Sequence, residues 1–253
     1  QRRDPLPAVA YIARVGLLCG LFCGFLAGCG RAEAPKLSVF AAASVGDALQ
    51  RLAAGDPRPP IITIGATSRL VRQVRAGAPA DVLITTDPSW MDQAVVAGDI
   101  VAGTRTTIAR NRLVLIATVD RSGGPETLAE LASQPFSTLA LAGEEVPAGR
   151  FADSALSSHN VRAAVASRIV RANHVRGALR WVADGRADRG IVYLTDALSE
   201  PRVRICEQIT SERYPPVIVE AAVVRGAIDP GAAARYVRGL PENGRAVFAA
   251  AGF

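Results

Sequence analysis

The sequence predicts an α/β fold, with helices packed on both faces of largely parallel sheet. Short, near-continuous apolar runs suit strands buried on both faces, and between them apolar residues recur at helical spacing. A third observation predicts where a ligand would lie. Several strand-to-helix turns are built from small residues and hydroxyls, and in such sheets ligands sit beyond the carboxyl ends of the strands, where helices begin.

The elements follow in order. LSVFA (37–41) reads as the first strand, and Val45, Ala48, Leu49 and Leu52 set the spacing of the helix after it. PIITIGA (60–66) precedes the helical RLVRQVRAG (69–77), and ADVLITT (80–86) precedes PSWMDQAVVAG (88–98). RLVLIAT (112–118) is followed by the helix-like ETLAELA (126–132), and TLALAG (138–143) by RFADSALSS (150–158). The helix VRGALRWVADG (175–185) leads into the strand RGIVYLT (189–195). The last stretch, PGAAARYVRGLPENGRAVFAAAGF (230–253), is helical with a break at Pro241, Glu242, Asn243 and Gly244.

Part of the apolar content is not core. The chain has 253 residues, 49% of them hydrophobic, with a mean hydropathy of +0.21. In residues 1–29, Arg2, Arg3 and Arg14 precede an apolar run that ends Leu26-Ala27-Gly28-Cys29. This is the layout of a secretory signal over 1–28, too short for a spanning helix. Cys19 and Cys23 fall inside it and Cys29, just past its end, is a candidate modification site, so Cys206 alone remains in the body, which argues against an intrachain disulfide and a cysteine-held metal. The formal charge of +6 drops to +4 once Arg2, Arg3, Arg14 and Asp4 are set aside. That charge is dispersed among acids, as in ADGRADRG, whereas nucleic-acid binders concentrate it on one face, so a nucleic-acid partner is not expected.

Four junctions share the ligand-site geometry: FAAAS at Ser44, GATS at Thr67 and Ser68, VPAG near Ala148, and RANHV at Val175. Tyr193 ends a buried strand in GIVYLTDA. A helix start offers free N–H donors and the positive end of a dipole, so each junction could hold an anion. The plainer reading of Ser44 and Thr67 is helix capping. For His159 and His174 it is a surface or capping role, and for Trp90, Met91 and Trp181 it is packing. Arg69, Arg150 and Arg176 adjoin the junctions and read as solvated helix residues that add a favourable field.

VFAAAS, GAPADVLITTDPSWMD, VPAGRFADSAL, VRGALRWVADG and GIVYLTDA, in this order, resemble the substrate-binding component, periplasmic or lipoprotein, of bacterial molybdate ABC importers. The resemblance spans about residues 37–253 and includes the closing AGF. It implies a two-lobed periplasmic-binding-protein fold of type II, with residues 36–107 and 217–253 in one lobe and 108–216 in the other. The crossovers would lie near Thr107 and Pro216. It implies a tetrahedral oxyanion, molybdate or tungstate, held in the interlobe cleft by Ser44, Thr67, the backbone N–H groups of Ala148 and Val175, and Tyr193. Ser68 and His174 would stand just behind. LAGC also resembles a lipobox, which implies lipidation at Cys29, a tether over 29–35 and attachment outside the cytoplasm. The partners implied are a permease and an ATPase, with the binding protein itself a monomer that carries no cofactor.

The segment AAGDPRPPIIT is shorter than that family usually shows, and His174 stands where an acidic residue commonly precedes the fourth contact. A binding protein of the same fold for sulfate, phosphate, an organic anion or a metal complex is the alternative. An enzyme is a poorer one. Ser44 lies in AASVG and not in a GxSxG elbow, and the single lysine, Lys36, is too near the tether to serve a phosphate loop.

Overall fold

The computed structural model describes residues 35–253; the signal segment and Cys29 lie outside them. Among the described residues are two five-stranded sheets. The first contains β1 (Ser38–Ala42), β2 (Ile61–Gly65), β3 (Val82–Thr85), β4 (Thr106–Asn111) and β10 (Val217–Val223), in the order β2-β1-β3-β10-β4. The second contains β5 (Leu113–Thr118), β6 (Leu139–Ala142), β7 (Ile169–Ala172), β8 (Arg189–Tyr193) and β9 (Val203–Gln208), in the order β7-β6-β8-β5-β9. The chain passes from the first sheet to the second at Arg112 and returns between Gln208 and Val217.

The helices are α1 (Gly46–Ala53), α2 (Thr67–Arg75), α3 (Pro88–Val96), α4 (Pro147–Ser158), α5 (Val175–Ala183), α6 (Leu194–Leu198), α7 (Pro230–Asn243) and α8 (Arg245–Ala250). The α/β class is as expected, but the sheets are mixed. In each, two strand pairs are parallel and two antiparallel, because β10 runs against β3 and β4, and β5 against β8 and β9. ETLAELA forms only a 3-10 turn, Ala129–Ala132. Pro241 is accommodated inside α7, and the break falls at Gly244.

Burial explains why the apolar runs are continuous. In β1, Val39 and Ala41 pack with Val237 and Leu240 on one face, while Phe40 packs with Leu70, Trp90 and Met91 on the other. Both faces of the strand are covered, so the period-two alternation of a half-exposed strand is absent. Edge strand β2 is different: Ile61 and Ile64 are exposed. In α2, Leu70, Val71 and Val74 turn inward, and Arg69, Arg72 and Arg75 face out. The second sheet has its own core, built on Leu113 to Ile116, Leu139 to Ala142, Ile191 and Val192. Trp181 packs against its margin. The consequence for function is positional: β1, β2, β6 and β7 each deliver a helix start to the same region between the sheets.

Candidate functional site

Ser44, Thr67, Ala148, Val175 and Tyr193 line one pocket, reached from both sheets. None is more than 4% exposed, so these residues are shielded from bulk water. Its free volume is about 10 Å³, and it adjoins an open cleft of about 820 Å³. The small pocket has room for about one water and is narrower than a tetrahedral oxyanion, whereas the adjoining cleft is of the size, roughly 300–1,000 Å³, that takes an organic ligand. Ser68 is buried, but it lines the open cleft instead. His174 borders both.

The capping reading of Ser44 and Thr67 does not survive. Ser44 lies inside a 3-10 turn, Ala43–Val45, that leads into α1, and neither that turn nor α1 has a side-chain cap. The N-cap of α2 is Ala66, again without a side-chain bond, which puts Thr67 one residue inside the helix. The N-cap of α4 is Val146, also uncapped by a side chain. By contrast α3 and α7, which begin elsewhere, are capped by Asp87 on the Ser89 N–H and by Asp229 on the Ala232 N–H. The first-turn N–H groups of a helix have no partner within it, so three uncapped starts around one pocket leave donors for a ligand. Gly149 keeps the start of α4 tight. A Cβ there would run into the carbonyl oxygens of Gly143 and Ala142.

The hydroxyls point the same way. Ser44 Oγ and Tyr193 OH are buried and have no hydrogen-bond partner among the described residues. A buried hydroxyl without a partner costs about 1–3 kcal/mol, so two on one small pocket mark a place for an acceptor. Burial holds the Tyr193 phenol well above the ordinary tyrosine range, against a smaller opposing effect of the Thr86 hydroxyl, so it stays protonated and able to donate. Thr86 is the pocket residue that sequence reasoning missed. Its Oγ1 is 3.4 Å from Thr67 Oγ1, and its place just past the end of β3 was the available signal. No Asp, Glu, Lys or Arg lines the pocket among the described residues.

His174 caps α5, its Nδ1 accepting from the Gly177 N–H at 3.2 Å. Burial, then the charges of Arg176 and Arg180, hold its pKa below the usual histidine value. A neutral ring already used as a cap acceptor does not activate Ser44, whose Oγ has no bond to it. His159 ends α4, where its Nδ1 lies 2.8 Å from the Ala155 carbonyl oxygen.

Two of the three neighbouring arginines are not simply solvated. Arg150 Nη2 reaches Asp87 Oδ2 at 2.6 Å and Ser89 Oγ at 3.2 Å. Arg176 binds both oxygens of Asp47 at 2.9 Å, and its Nε reaches Asp196 Oδ1 at 3.2 Å. Burial pushes the Asp196 carboxyl up to about 6 in spite of Arg176, and its second oxygen has no partner among the described residues. Arg69 is exposed and lines the open cleft. Among the described residues there is no cluster of His, Cys, Asp and Glu fit for a metal ion, and no helix long and apolar enough to cross a membrane.

A sequence model of bacterial extracellular solute-binding proteins matches residues 37–253. The chain is 32% identical to the molybdate-binding protein ModA of Haemophilus influenzae over 204 residues, 77% of this chain and 80% of that one. It is also 32% identical to ModA of Escherichia coli over 212 residues, 79% of this chain and 82% of that one. The periplasmic molybdate-binding protein of Azotobacter vinelandii superposes with a TM-score of 0.76 at 23% identity, covering 86% of this chain and 98% of that chain, a likeness of fold. A match of this extent, on a mixed-sheet architecture shared with a periplasmic binding protein, means that the chain belongs to the bacterial extracellular solute-binding protein family, as a binding component of an ABC transporter and not an enzyme.

Proposed function

We propose that the chain captures molybdate, or tungstate, outside the cytoplasm and delivers it to the permease and ATPase of an ABC importer. The observation that carries this reading is the pair of buried, unpartnered hydroxyls, Ser44 Oγ and Tyr193 OH, on a small pocket without a charged side chain. The ligand contacts are the hydroxyls of Ser44, Thr67 and Tyr193 and the N–H groups of Ala148 and Val175. A fully deprotonated tetrahedral dianion accepts from every one of them and supplies no proton that needs an acceptor. The molybdate-binding names of the two ModA relatives support the choice of anion.

Residues 36–107 with 217–253 make one lobe and 108–216 the other, except that the first crossing belongs at Arg112, since β4 as far as Asn111 pairs with β10. Cys29 carries the lipid anchor, and the binding protein acts as a monomer. One acyl chain holds a protein to a membrane only marginally, so stable attachment needs further chains on the same residue. Fractionation of cells expressing Cys29→Ala should show loss of the lipid-labelled, membrane-bound form; an unchanged product rules out that anchor. For the ligand, thermal stabilisation across molybdate, tungstate, sulfate and phosphate is the test. The reading requires the first two to raise the melting temperature most, and a panel without effect sinks it.

A further inference from the structure

The two helices that present Ala148 and Val175 to the pocket share a second feature. Each carries, within its first turn, an arginine that reaches a carboxylate on the other sheet's side. On α4 it is Arg150, bound to Asp87, the buried N-cap of α3. On α5 it is Arg176, which grips both oxygens of Asp47 on α1 while Asp196 of α6 holds its Nε. Asp47 and Asp87 belong to helices that follow β1 and β3 of the first sheet; Arg150 and Arg176 follow β6 and β7 of the second. Two ion pairs therefore straddle the pocket. The five pocket residues are buried, and a separation of the two sides that opened the pocket to a ligand would break both pairs.

We propose that Arg150 and Arg176 are positioning residues that latch the site shut, each pinning one backbone donor, Ala148 N–H or Val175 N–H, against the opposite side. This rests on the oxyanion reading of the pocket. The latch governs how long the anion stays. Arg150, 42% exposed, holds an Asp87 carboxylate that is 4% exposed through one bond, whereas Arg176, 26% exposed, holds a 38% exposed Asp47 through two, so both pairs are partly screened by water and comparable in weight. Arg176 gains from Asp196, which fixes its guanidinium from behind and lowers the entropy cost of the bond to Asp47.

The alternative is that the arginines act only by their positive field. The aspartates separate the two, because the field and the latch give opposite signs. Asp87→Asn keeps a side chain that caps α3, and Asp47→Asn changes little but charge. Removing a negative charge near a bound dianion tightens binding if only the field matters. Under the latch both substitutions weaken it, through faster dissociation with little change in association, as expected when one partner of a close charge pair is lost. The measurement is stopped-flow dissociation of molybdate, with circular dichroism melting to confirm folding of the full chain. We expect dissociation about threefold to tenfold faster in each of Asp87→Asn and Asp47→Asn. Rates within a factor of about 1.5 of wild type, or slower, would overturn the latch. If the wild-type chain binds none of molybdate, tungstate, sulfate and phosphate, the reading of the pocket falls and the latch with it; wild-type binding with unaltered variants removes the latch alone.

Discussion

Ser44 and Tyr193 come from different sheets, yet their hydroxyls border one pocket and neither has a hydrogen-bond partner among the described residues. The fold thus leaves two donors buried and unpaired from opposite sides, an arrangement that costs stability unless something accepts from both.

That cost sets the sign for Ser44→Ala. Were Ser44 a helix cap, its removal would destabilise the fold by about 0.5–2 kcal/mol. Its Oγ bonds to nothing among the described residues, so the substitution should leave stability unchanged or raise it, while anion affinity falls by about 1–3 kcal/mol, the worth of a hydrogen bond to a charged group. Thermal melting without ligand and calorimetry with molybdate measure the two halves separately. Loss of stability with unchanged affinity would restore the capping role.

Tyr193→Phe keeps the ring in the core and deletes one donor. Affinity for the anion should drop by about 1–3 kcal/mol with little loss of ligand-free stability, because among the described residues the phenol meets no hydrogen-bond criterion and has only the Thr86 hydroxyl nearby. Wild-type affinity in this variant would make Tyr193 a packing residue only.

His174 makes the pocket pH-sensitive, with a sign opposite for the free and liganded protein. Its folded pKa lies below the ordinary 6.5, through burial first and then Arg176 and Arg180. A depressed histidine favours the neutral form, so its contribution to stability is complete above the unfolded value of about 6.5 and is lost as pH falls below it through the lower folded pKa. A bound dianion favours the charged ring and opposes the depression, so affinity should rise as pH falls below about 6.5. His174→Asn retains a cap acceptor and removes the titration. Melting and calorimetry between about pH 5 and 7 should show both slopes in wild type and neither in the variant; equal profiles would leave His174 a cap and nothing more.

Much of this site was legible because it is local. Small residues and hydroxyls at strand-to-helix turns pointed to Ser44, Thr67, Ala148 and Val175 before any contact was known, and each turn is set by residues adjacent in the chain. Capping was the plainer reading of Ser44, and it fails because a single 3-10 turn, Ala43–Val45, puts the residue ahead of the boundary of α1. Pairings over distance were not legible. β10 sits inside the first sheet between β3 and β4, more than a hundred residues from either, and nothing in VIVEAAV announces antiparallel partners. Arg176 and Asp47 are 129 positions apart, and Arg150 and Asp87 are 63 apart, so composition could describe these arginines only as solvated charge.

Selectivity follows from what the pocket lacks. No carboxylate lines it, so monohydrogen phosphate would bury an O–H with poor prospects of an acceptor, at a cost of about 1–3 kcal/mol. A hydroxyl that accepts this proton turns a lone pair, not its O–H, toward that oxygen of the anion, so that corner loses a donor. Phosphate should therefore bind weakly. Sulfate carries the same charge as molybdate and no proton, so hydrogen-bond logic does not reject it, and discrimination rests on size. Donors fixed by helix starts on two sides, and held there by the Arg150 and Arg176 pairs, cannot all follow a smaller tetrahedron inward. Tungstate is close to molybdate in size and charge and should bind alike. Calorimetry with the four anions at one pH and ionic strength is the measurement: molybdate and tungstate within about tenfold of each other, sulfate and phosphate more than about tenfold weaker. Sulfate binding as tightly as molybdate would make this a general oxyanion carrier, with donors that adapt to the anion.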